Sequence, residues 1–116
     1  MNNNRLFQMP FSKIYALYSQ KIGKKGRQQS ELDAVIFWLT GYNPNTLQHV
    51  LDSDIPLKSF FEDSPNFNQN AKLITGLICG YRVENIEDPL LQKIRYLDKL
   101  VDELAKGRKL DTVLRK

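Results

Sequence analysis

Apolar positions recur at helical intervals along most of the chain, and short breaks punctuate them. Ile14, Tyr15, Tyr18 and Ile22 share one face of a helix that Ser12 can cap, running to about Ile22. Gly23 and the run Lys24-Lys25-Gly26-Arg27 interrupt it. Ser30 is placed to open a second helix, with Asp33 at the capping-box position and Leu32, Val35, Ile36 and Leu39 as its buried stripe. Gly41 follows as a left-handed stop. Asn43-Pro44 then gives a cap and a first-turn proline for a short third helix whose face is Leu47, Val50 and Leu51. Pro56 opens another short turn through Phe60 and Phe61, and residues 64–70 read as the longest irregular connection.

The clearest element starts at Asp88-Pro89 and extends to about Lys106. Leu90, Ile94, Leu97, Val101 and Leu104 alternate spacings of four and three, the signature of a core-facing helix. Asp102 can pair with Lys106 one turn on, and Gly107 ends the segment. Leu110, Val113 and Leu114 mark a last short helix. Between these elements, Leu73 to Tyr81 suits a buried strand as well as a helix. Helix is the expectation, because a lone strand would find no partner elsewhere in the chain. On that reading Gly76 and Gly80 lie one turn apart, where another backbone can approach. The sum is an all-α bundle of five to seven helices, a single domain over residues 1–116, with the long C-terminal helix crossing the core.

Composition bounds what such a bundle can be. Of its 116 residues, 41% are apolar and 26% charged, ordinary for a globular chain and unlike a disordered one. The longest unbroken apolar run, Ala34 to Leu39, is far short of the ~20 residues of a membrane span. The first ten residues have no signal-peptide core, and the single cysteine, Cys79, cannot form an internal disulfide. A cytoplasmic location is expected.

Charge is unevenly placed. Net charge is +4, yet Arg5, Lys13, Lys21, Lys24, Lys25 and Arg27 precede the first carboxylate, Glu31, so the remainder is slightly acidic. Lys21, Lys24, Lys25 and Arg27 form a candidate anion-binding cluster. The plainer reading is a solvated basic face. Aromatic and basic residues also interleave twice: Tyr15 and Tyr18 near Lys13, Lys21, Lys24 and Lys25, and Tyr81 and Tyr96 beside Arg82 and Arg95. Such interleaving can stack on bases, though tyrosines at helical spacing more often pack in a core.

Groups suited to chemistry are few. His49 is the only histidine and Cys79 the only cysteine, so no His/Cys zinc site can be assembled within the chain. A Cys79–His49 nucleophile and base is disfavoured, because an apolar run such as that around Cys79 usually holds cysteine as a small hydrophobe. Glu84, Glu87 and Asp88 are best used in helix capping. No catalytic residue, metal ligand or cofactor is expected.

Several stretches are similar to a known family. Trp38-Leu39-Thr40-Gly41-Tyr42, Leu73 through Glu84, Glu87-Asp88-Pro89-Leu90 and Lys93 through Leu100 resemble a bacterial family catalogued as domain of unknown function 2200. So do the opening Phe7-Gln8-Met9-Pro10-Phe11 and the closing Val113-Leu114-Arg115-Lys116. The resemblance implies a small helical bundle in a free-standing cytoplasmic protein, and no reaction or ligand. Three function classes stand in order. The first is an interaction module, self-associating as a homodimer where Leu91 and Leu100 widen the apolar face of the long helix. The second is a weak binder of nucleic acid or another polyanion through the basic cluster. An enzyme comes last.

Overall fold

In the computed structural model, which describes residues 3–115, seven α-helices and one small hairpin surround a continuous apolar core. The helices are α1 (Asn4–Phe7), α2 (Phe11–Gly23), α3 (Gln29–Thr40), α4 (Pro44–Asp52), α5 (Leu57–Glu62), α6 (Pro89–Ala105) and α7 (Leu110–Val113). Between α5 and α6 lie a 3-10 turn (Gln69–Leu73), strands β1 (Leu77–Ile78) and β2 (Tyr81–Arg82), and a second 3-10 turn (Val83–Asn85). Met1, Asn2 and Lys116, which belong to the terminal segments read above, lie outside the described residues.

The all-α expectation holds, and the long helix crosses the core as anticipated. Ile94, Leu97, Leu100, Val101 and Leu104 of α6 are buried, and that face packs on α2 and α3. Asp88 caps it by accepting from the backbone N–H groups of Leu90 (3.0 Å) and Leu91 (3.2 Å), which neutralises two of the four orphan donors of a helix start. Lys106 pairs with Asp102 at 3.0 Å. Leu100 is fully buried and Leu91 half-buried. Phe11 stacks on Phe60 (centroids 3.8 Å apart), and Phe60 stacks in turn on Tyr42 at 4.7 Å.

Gly41 is in the left-handed region (φ 82°) after α3, as its placement predicts. It does more than stop a helix. The chain returns so closely that a Cβ on Gly41 would sit 2.7 Å from the backbone nitrogen of Asn66. That approach lets the N–H groups of Asn66 and Asn68 donate to the carbonyls of Thr40 (3.0 Å) and Leu39 (2.8 Å), while the Asn68 side chain donates to Trp38 (3.1 Å). The irregular segment thus satisfies the last carbonyls of α3.

Three expectations are corrected. The first long helix starts after Pro10, not at Ser12, whose hydroxyl instead donates to Asp54. Pro10 sits in a bridge with Pro56 that fixes the entry of the chain. The second helix starts at Gln29, because Glu31 reaches back to the Gln28 N–H and closes the end there, before Ser30.

The third correction is larger. Leu73 to Tyr81 is not a helix. It ends a 3-10 turn and then folds as a hairpin, pairing Leu77 with Arg82 and Ile78 with Tyr81. The partner strand, Tyr81–Arg82, follows after a turn of only two residues. Cys79 and Gly80 form the turn with φ 52° and 84°, and positive φ at both central positions matches the right-handed twist of the strands. Gly76 and Gly80 therefore share no helix face.

Candidate functional site

The hairpin is held to the bundle by side chains, not by a wider sheet. Glu84 accepts from the Gly76 N–H (2.9 Å), Lys99 donates to the Leu77 carbonyl (3.2 Å), and Gln92 donates to the Val83 carbonyl (3.1 Å). Two of these anchors, Gln92 and Lys99, stand on α6, so the hairpin is fixed over that helix. Between them lies a cleft of about 560 Å³, within the usual size range of binding pockets. Leu77, Tyr81, Ile86 and Leu91 supply its apolar wall, and Arg82 and Arg95 are the only charged residues in its lining among the described residues. Leu77 is 61% exposed and Tyr81 70%, the two most exposed large apolar side chains among the described residues.

Arg95 is also a wall of a second cavity of about 200 Å³, lined by Leu6, Leu17, Leu57 and Ile94 together with Tyr18 and Asp98. At the junction Asp98 accepts from the Arg95 guanidinium (Nη1, 2.7 Å) and from the Tyr18 hydroxyl (2.5 Å). Burial, then the negative charge of Asp98, pushes the Tyr18 phenol well above its ordinary pKa. The Tyr18 hydroxyl fixes the carboxylate that Arg95 grips. Cys79 stands at the turn of the hairpin. It is exposed, and this corrects its expected role as a buried hydrophobe: the turn position directs it out of the core.

The structure divides the basic cluster. Lys24 and Lys25 are exposed, and Lys21 pairs with Asp102 at 3.3 Å. Arg27 is committed elsewhere. Its Nε and Nη2 grip the two oxygens of Glu31 (2.9 and 2.6 Å), and Nη1 donates to the carbonyls of Leu104 (3.0 Å) and Arg108 (2.6 Å). The hydrogen bond from Arg27 holds the Glu31 carboxyl below its ordinary pKa. Arg27 thereby brings the lysine-bearing loop against the end of α6, where Lys106 joins Lys21 and Lys25 around a shallow cleft of about 580 Å³. Asp102 lies in that cleft. Burial raises its pKa, but bonds from Lys106 and Lys21 outweigh this and hold it low.

The remaining sequence candidates stay apart. His49 is exposed on α4. Among the described residues no group of three or more His, Cys, Asp or Glu is gathered that could hold a metal ion, and no helix is long and apolar enough to cross a membrane. Tyr18, Tyr42 and Tyr96 pack in the core, Tyr15 is half-buried and Tyr81 faces out. Sequence reasoning missed the hairpin cleft as a site, although the pairing of Tyr81 with Arg82 and of Tyr96 with Arg95 pointed to its two arginines. It also missed Glu103, only 3% exposed, whose carboxylate is gripped by Arg115 through Nη1 (2.5 Å) and Nη2 (2.8 Å).

No curated protein matches this chain. Among solved structures, the crystal structure of the uncharacterized protein SP1917 is similar, with a TM-score of 0.92 and 41% sequence identity over 98% of this chain and 93% of that one. Residues 5–115 match the family described as uncharacterized protein conserved in bacteria, DUF2200. With the match spanning the helices, the hairpin and both clefts, the chain belongs to this family.

Proposed function

We propose that the protein is a small interaction module and that the hairpin face is its contact surface. The observation that supports this reading is the exposure of Leu77 and Tyr81 on a hairpin held rigidly over α6, beside a cleft walled by two arginines. Tyrosine and arginine recur as anchors of protein interfaces. The test is site-specific photo-crosslinking in cells, with the reactive residue placed at 77, at 81 and, as a control on another face, at Gln48. Crosslinked products formed at 77 and 81 but not at 48 are expected. A product of twice the chain mass would identify the partner as a second copy. Equal labelling at all three positions, or none, would overturn the reading.

A second reading, polyanion binding, gains support from one observation: Lys106 lies with Lys21 and Lys25 around one cleft. Three phosphates neutralised there would give a log–log salt slope of roughly −2.7 on duplex DNA. A mobility shift at low salt, lost in Lys24→Glu/Lys25→Glu, is the expected result. Absence of any shift would rule it out.

A further inference from the structure

The hairpin cleft has one sign of charge. Among the described residues both charged groups in its lining are arginines, and each pairs with a carboxylate that stands outside that lining, Arg95 with Asp98 at 2.7 Å and Arg82 with Glu84 at 3.4 Å. Glu84 accepts from the Gly76 N–H and only loosely from Arg82, at 3.4 Å. Asp98 accepts from Tyr18 as well as from Arg95. Arg95 gives Asp98 one nitrogen and lines both cavities. A guanidinium in that position suits a carboxylate, which it can engage through two parallel bonds.

The apolar surface around these arginines does not end at the cavity walls. Leu77 and Tyr81 stand mostly clear on one side of Arg95, and Leu17, 53% exposed, stands clear on the other. A compact metabolite enclosed in one cavity would leave those side chains in water. An extended segment laid across Arg95 would cover them, with one large side chain entering the smaller, leucine-lined cavity. Resting on the hairpin face being a contact surface, we propose that its partner is a peptide segment carrying carboxylates beside a large apolar residue. The carboxylates would meet Arg82 and Arg95, and the apolar side chain would seat against Leu17, Leu57 and Ile94. A basic segment would instead meet two guanidinium groups and, among the described residues, no carboxylate in the lining of the hairpin cleft, which selects against it.

The experiment selects binders from a randomised dodecapeptide library displayed on phage, with the full chain as bait, and maps each peptide by NMR of methyl-labelled Leu and Ile. Enriched peptides should combine Asp or Glu with Leu, Ile or Phe and should shift the methyl signals of Leu17, Leu77 and Leu91. Changing their Asp and Glu to Asn and Gln should weaken binding at least about tenfold, equivalent to ~1.4 kcal/mol. Arg82→Gln should weaken it comparably with an unchanged melting temperature, since that side chain is exposed. Arg95→Lys keeps the charge but not the fork, and should weaken binding measurably but less than Arg82→Gln does. Peptides that shift the hairpin methyls without acidic residues, or that ignore the amide replacement, would overturn this partner class while leaving the contact surface standing. If selection yields nothing, or only peptides that shift signals away from the hairpin, both readings fail.

Discussion

The guanidinium Nη1 of Arg27 lies 3.0 Å from the carbonyl oxygen of Leu104, 77 residues further along the chain. The same nitrogen reaches the carbonyl of Arg108, so one side chain closes the carbonyl end of α6 from outside that helix. A residue that looks like part of a basic patch is therefore a helix cap. Arg27→Ala should cost about 1–3 kcal/mol, the range for hydrogen bonds made by a charged group. Lys24→Ala and Lys25→Ala should stay within about 0.5 kcal/mol, as exposed substitutions do. Urea denaturation of the three variants measures this, and equal costs would deny Arg27 its capping role.

Cys79 carries a different cost. It holds φ 52° at the first turn position, a conformation that disfavours an L side chain by about 1–2 kcal/mol. Asn or Gly at that position fits the turn better. Cys79→Asn and Cys79→Gly should raise stability by up to about 1 kcal/mol, and Gly80→Ala should lower it. Thermal melting decides the sign. A loss of stability in Cys79→Asn would show that the sulfur makes a contact worth more than the strain.

At high pH the buried phenols govern stability. Burial, helped by Asp33 for Tyr15 and by Asp63 for Tyr42, pushes both pKa values up to about 12, and Tyr18 is raised in the same direction. Unfolded phenols ionise near 10, so below that pH both states keep their protons and the full contribution is present. As pH rises from about 10 towards 12 the unfolded state alone loses protons, and folding weakens. Denaturant midpoints should therefore fall steeply above pH 10. Tyr42→Phe should flatten the fall, at the cost of the bond from Tyr42 to the Phe60 carbonyl. A midpoint that stays level to pH 12 would contradict the burial of these hydroxyls.

Which parts were legible in the sequence follows from the range of the forces involved. The ends of α4 and α6 are local events: Asn43 bonds to the N–H of Thr46, and Asp88 to those of Leu90 and Leu91. The hairpin was illegible because two-residue strands are too short for alternation to appear, and Cys-Gly is not the usual turn pair. Arg27 was misread because two of its acceptors, the carbonyls of Leu104 and Arg108, lie 77 and 81 residues further along the chain. For the cleft, Arg82 and Tyr81 are neighbours in sequence, but Arg95 reaches them only because Lys99 and Gln92 hold the hairpin on α6.

The bonds from Tyr18 to Asp98 and from Lys21 to Asp102 join segments about eighty residues apart. A helical protein commonly folds fast because its contacts are local. Here the helix that completes the core is tied to α2 across a closed loop of most of the chain. Closing so long a loop is only modestly dearer in entropy than closing a short one, but the cost falls before those bonds exist to offset it. The α2–α6 junction should thus assemble late, and the chain should fold more slowly than its helix content alone would indicate. Until it does, the apolar faces of α2, α3 and α6 remain open to one another and to other chains.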